Sequence, residues 1–123
     1  MKKILISVIA AVSLNTMTAQ AGTEDKLVEV CKASTGESLA SFKRAVKGTS
    51  MRLRDLYPTL KCNGIELLGF SIKTGDNSIS EYIINRTKRR DLTTIEGVKS
   101  KEWFIRNGYE DTKTYEILVD KLG

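Results

Sequence analysis

The stretch Asn63-Gly64-Ile65-Glu66-Leu67-Leu68-Gly69-Phe70-Ser71-Ile72-Lys73-Thr74-Gly75-Asp76-Asn77-Ser78-Ile79-Ser80-Glu81-Tyr82-Ile83-Ile84 decides the fold. Ile65, Leu67, Leu68, Phe70 and Ile72 leave little polar surface on any side, as in a helix buried between neighbours. Gly75 stops it. Asn77 or Ser78 then caps a second helix with Ile79, Tyr82 and Ile83 inward. That helix runs out into Arg86, Lys88, Arg89 and Arg90, where positive charge suits a helix C-terminus. The spacing predicts an antiparallel helix pair, Ile65–Thr74 and Ile79–Arg86.

The pattern recurs. Gly64 and Gly75 are 11 residues apart, Gly97 and Gly108 are 11 apart, and the second pair follows the first by 33. At that offset Ile72 aligns with Ile105, Tyr82 with Tyr115, Ile84 with Ile117, Phe70 with Trp103 and Lys73 with Arg106. A 33-residue period of helix–turn–helix is that of the ankyrin repeat. In its glycines and in the paired apolar positions of both helices, residues 63–84 resemble one such repeat, which implies a stack of helix pairs. The chain departs from the family where Thr-Pro-Leu-His opens the first helix: here stand Glu66-Leu67-Leu68-Gly69, with Ser100 and Lys101 aligned to Leu67 and Leu68. The alternative is an irregular helical bundle whose glycines are ordinary helix stops. Both readings make the fold class all-α.

Toward the N-terminus, Leu27, Val28 and Cys31 lie on one face of a helix that Gly36 closes. Ser38 is an N-cap for a helix burying Leu39, Phe42 and Val46 and ending at Gly48. Ser50 caps a short turn presenting Leu53, Leu56 and Tyr57, which Pro58 ends. Toward the C-terminus, Thr93 and Glu96 have capping-box spacing ahead of the aromatic knot Trp103, Phe104 and Ile105. The last helix, capped by Asp111, has Tyr115, Leu118, Val119 and Leu122 on one face.

Residues 1–21 have the form of a cleaved signal peptide: Lys2 and Lys3, an apolar run from Ile4 to Leu14, and a small-x-small site at Ala19-Gln20-Ala21. Cleavage leaves Gly22 as the first residue of a single helical domain, 22–123, without a transmembrane segment. The apolar run is too short to span a bilayer. Both cysteines, Cys31 and Cys62, fall in the mature part, and an even count in an exported chain points to a disulfide. Closing that loop of roughly 30 residues contributes on the order of 3–4 kcal/mol by the chain-entropy model. A redox-active pair normally has Cys-x-x-Cys spacing, which is missing here. The Cys31 helix, the Cys62-Asn63-Gly64 motif and the signal peptide together resemble a group of short, uncharacterised exported proteins of Gram-negative bacteria. That resemblance implies a periplasmic or secreted protein with a disulfide, and no particular activity.

Composition narrows function further. Histidine is absent, which removes the commonest general base and the commonest zinc ligand. Two thiols alone do not complete a tetrahedral metal site, so neither cofactor nor metal is expected. The formal charge of +5 includes two signal lysines; the mature +3 is too mild to argue for nucleic acid. The pairs Glu110 and Asp111, and Glu24 and Asp25, sit at expected helix starts, where negative charge is structurally stabilising. No residue is assigned catalysis.

Two groups are candidates for binding. One is basic: Arg86, Lys88, Arg89 and Arg90, with Arg52, Arg54 and Lys61 in the insertion 47–61, facing an acidic surface of an envelope protein. The other is aromatic, Trp103 and Phe104, as an anchor of the kind found at binding hot spots. The expected function is a non-enzymatic periplasmic binding module of unidentified partner; the alternative is a small periplasmic hydrolase or redox factor.

Overall fold

The computed structural model describes residues 21–36, 38–75 and 77–123; all but Ala21 of the expected signal peptide, 1–21, lies outside them. Helix α1 (Ala21–Ala33) and helix α2 (Leu39–Gly48) form an N-terminal hairpin. The Ser38 hydroxyl accepts a hydrogen bond from the Ser41 N–H at 3.0 Å, capping α2 as its sequence implies. Below α2 come a single turn, α3 (Leu53–Leu56), and a 3₁₀ turn at Tyr57–Thr59, where Pro58 occupies the start that tolerates a missing N–H.

Two dipeptides then shape the rest. Asn63 and Gly64 have φ of 57° and 80°, and Glu96 and Gly97 have φ of 51° and 78°. Two successive left-handed residues make a type I′ turn, whose twist matches that of paired strands. Accordingly β1 (Lys61–Cys62) pairs antiparallel with β2 (Ile65–Glu66), and β3 (Thr94–Ile95) with β4 (Val98–Lys99). Each hairpin leads straight into a helix and a second antiparallel helix: α4 (Leu67–Thr74) and α5 (Asn77–Arg86), then α6 (Ser100–Arg106) and α7 (Lys113–Leu122). A 3₁₀ turn precedes each hairpin, the second at Arg89–Leu92.

The described residues are thus mainly helical, as expected, but with two small two-stranded sheets they are not purely all-α. Ile65 and Glu66 belong to a hairpin rather than to the first turn of a helix, because the left-handed pair before them folds the chain back onto Lys61 and Cys62. The 33-residue offset holds for both strands and the first helix of each unit, whereas the second helices are 36 apart. Tyr82 and Tyr115 are therefore not equivalent. Three local expectations are also corrected. Glu96 sits in a hairpin turn, and Thr93 donates its hydroxyl to the Arg90 carbonyl, so no capping box forms. Ser50, at φ 64°, precedes α3 without capping it; its N-cap position is Arg52. Thr112, not Asp111, caps α7 by accepting from the Tyr115 N–H at 3.1 Å.

One continuous apolar cluster joins these parts, with Phe42, Leu56, Leu67, Leu68, Ile79, Ile83, Ile84, Leu92, Ile95, Phe104 and Leu118 all fully buried. Cys31 and Cys62 are bonded, with Cα atoms 5.7 Å apart, and the bond pins α1 to β1 inside this cluster. Gly75 lets the α1–α2 connection lie against the end of α4: a Cβ there would stand 2.4 Å from the Ser34 carbonyl oxygen and 2.9 Å from the Gly36 nitrogen. Gly69 serves the same purpose between the two hairpin units, since its Cβ would meet Ile95 at 2.8 Å.

A candidate anion-binding groove

Helix α2 presents two stripes. Phe42 and Val46 face the core, and the next residues along, Lys43 and Lys47, rise beside them at the same four-residue spacing. Thr49 closes the helix by donating its hydroxyl to the Val46 carbonyl at 2.6 Å. The left-handed Ser50 then turns the chain so that Arg52 and Arg54 flank the buried Leu53. Opposite, the last turn of α5 carries Tyr82, Asn85 and Arg86. The Tyr82 ring meets Phe42 edge-on, with centroids 6.2 Å apart, which fixes α5 against α2.

Between these walls lies an open groove of about 550 Å³ whose charged lining is Lys43, Lys47, Arg52, Arg54 and Arg86. Its other lining residues are Val46, Leu53, Tyr82 and Asn85. The Lys43 ammonium stands 5.1 Å and the Arg86 guanidinium 4.9 Å from the Tyr82 ring centroid. Both distances are within cation–π range, so the ring holds two of the five cations in place. Arg52 also pairs with Asp55 at 3.5 Å, an exposed contact of little energetic weight. No carboxylate lines the groove, whereas three other concavities include Glu29, Glu102, or Glu116 and Asp120.

The structure divides the basic residues singled out in the sequence. Arg52, Arg54 and Arg86 come together in the groove. Lys61 is elsewhere, 3.8 Å from Glu66 across the first hairpin. Arg89 reaches the Leu122 carbonyl at 3.4 Å, and Lys88 and Arg90 are exposed outside the lining. Trp103 and Phe104 are 3% and 0% exposed, so neither presents an anchor at the surface. The Trp103 indole N–H donates to Glu96 at 3.1 Å, and its ring stacks on Tyr109, with centroids 6.1 Å apart. Lys47, the first residue of the insertion, also lines the groove, whereas sequence reasoning missed Lys43, Tyr82 and Asn85 there. The signal was present in the four-residue spacing of the two lysines, hidden because charge was weighed along the chain instead of around the helix.

Two carboxylates away from the groove tie the hairpins together. Glu66 accepts the Glu96 backbone N–H at 2.9 Å, tying one hairpin to the next, and Glu96 lies 3.6 Å from Lys73. Tyr57 is 1% exposed, and its hydroxyl has no hydrogen-bond partner among the described residues. Burial, reinforced by the Glu66 carboxylate, raises its phenol well above the ordinary range.

These features define a mainly helical, disulfide-pinned protein of two hairpin–helix–helix units with a basic groove between α2, α3 and α5. The chain belongs to a family of proteins of unknown function, DUF3718, which it matches over residues 30–94. That span holds both cysteines, the whole first unit and every residue of the groove. No protein of curated function and no solved structure matches the chain.

Proposed function

We propose that this protein is a non-enzymatic binding module of the bacterial envelope that captures an acidic partner in the groove between α2, α3 and α5. The observation that carries the reading is the convergence of five cations on one concavity lined by no carboxylate. Like charges gathered this closely repel one another, so their natural complement is a ligand that supplies the missing anions. A periplasmic or secreted address is supported by the leader-like residues 1–21 and by the disulfide, a bond that persists in oxidising compartments. Among the described residues no helix is long and apolar enough to cross a membrane. A redox role has less support, because the bonded sulfurs belong to residues only 1% and 0% exposed.

Two double variants of equal charge change test the reading. Arg54→Ser/Arg86→Ser removes groove cations, and Lys88→Ser/Arg90→Ser removes exposed cations outside it. The first should weaken salt-dependent capture of acidic envelope components at least about tenfold, as expected for losing two charge-assisted contacts. The second should leave capture within about twofold, and neither should move stability by more than about 1 kcal/mol. Equal losses in the two variants would reduce the groove to unspecific surface charge.

A further inference from the structure

We infer that the groove is built for a compact group bearing two or more phosphates, an inference that rests on the acidic-partner reading above and narrows its chemistry. Charge density is the first argument. A volume of about 550 Å³ corresponds to a sphere about 10 Å across, and an extended peptide advances about 3.4 Å per residue, so it would bring only about three carboxylates inside. A phosphate carries about −1.5 to −2 at pH 7, so two or three of them match the groove's cations within the same space even with Arg52 partly paired to Asp55.

Donor geometry is the second. Arg52, Arg54 and Arg86 each offer a planar fork that grips two oxygens of one phosphate, while Lys43 and Lys47 act as point charges. Arg86 and Lys43 are already held over Tyr82, so part of their side-chain freedom is surrendered before any ligand arrives. The walls are the third. Residues of α2 and α5 form two of them, and the Arg52 carbonyl accepts the Asp55 and Leu56 N–H groups, so the groove offers no strand edge on which a peptide backbone could pair.

The same chemistry occurs in a free oligophosphate and in the phosphorylated headgroup of a glycolipid, and the two can be separated by experiment. The chain without residues 1–21 is titrated with tripolyphosphate, with a pentaglutamate peptide, and with neutral vesicles doped with a bisphosphorylated glycolipid. Tripolyphosphate should bind at least about tenfold more tightly than pentaglutamate, with Arg54→Ser/Arg86→Ser erasing that preference and Lys88→Ser/Arg90→Ser keeping it. Tyr82→Leu, which keeps an apolar floor but frees two cations, should weaken binding about threefold. Binding to the vesicles without binding to tripolyphosphate supports the site with the lipid as its source. Pentaglutamate binding as tightly as either phosphate probe overturns the phosphate inference and leaves the acidic-partner reading standing. If no probe binds and the groove variant captures envelope components as well as the wild type, both fall.

Discussion

The two hairpin–helix–helix units share a turn, both strands and the start of the first helix, and differ in how the second helix packs. Both open on a type I′ pair, Asn63-Gly64 and Glu96-Gly97, and both send the chain directly into a helix 33 residues apart. Inside the first unit, α4 and α5 come close enough for the Ser71 and Ser80 hydroxyls to bond at 2.8 Å, fully buried. At the position of Ser71 the second unit has Phe104, whose ring packs against Tyr115 and Tyr109 at centroid distances of 5.6 and 6.4 Å. An aromatic wedge needs room, and the second helix of this unit starts 36 residues after α5, three more than the offset of the first helices. The longer connection brings in Tyr109 itself. Turns of the same type therefore permit either close polar contact or an aromatic filling, which here goes with the side chain at one position and a longer connection.

The sharpest way to break this contrast is to remove the wedge. Phe104→Ala should cost about 3–5 kcal/mol, as for other large buried rings, while Ser71→Ala should cost about 1–2 kcal/mol for a lost buried hydrogen bond. Urea unfolding of both variants measures the difference; similar losses would mean the two interiors are built alike.

Next comes the bond that only the first unit has. Cys62 lies on β1, whereas its counterpart on β3 is Ile95. Cys31→Ser/Cys62→Ser should lower stability by about 3–4 kcal/mol for a loop of roughly 30 residues. Hydrogen exchange should rise first in α1 and the first hairpin and leave α6 and α7 least affected. Uniform deprotection would show that the bond acts on the whole molecule and not on one unit.

The glycines give the finest comparison. Gly75 and Gly108 occupy equivalent positions in sequence but do different jobs: Gly75 is needed for its missing side chain, and Gly108, at φ 81° with open space around it, for its backbone conformation. Gly75→Ala forces a methyl group onto the Ser34 and Gly36 backbones, which should cost about 3 kcal/mol. Gly108→Ala should cost about 1 kcal/mol, that of a left-handed alanine. Thermal melts that reverse this order would invalidate the assignment.

The 33-residue offset was visible in the sequence because its glycines recur, although it holds only as far as the first helix of each unit. The sequence obscured the hairpins because each strand is two residues long, too short for alternation to show, and because Ile65 continues an apolar run that reads as helix. Asn63-Gly64 was itself a hairpin signal, and its left-handed pair outweighs the helical propensity of Ile65 and Glu66. The helix faces at Phe42, Val46, Ile79, Ile83 and Leu118 were legible from periodicity, and all five are buried. The groove was only partly legible. Arg52 and Arg86 are 34 residues apart in sequence, and they come to line one groove only because α2 and α3 both pack on α5, which no local pattern announces.

Gly69, where the second unit settles onto the first, also bears on how a chain of this kind can lengthen. The corresponding residue of the second unit is Glu102, exposed and paired with Arg106 at 3.0 Å, and beside it Lys101 replaces Leu68. Duplicating residues 94–122 at the C-terminus would set a new hairpin against a charged, filled face in place of a bare backbone. Simple copying would therefore not reproduce the Gly69 joint at that end. A third unit seated in the same way would need Glu102→Gly and Lys101→Leu first.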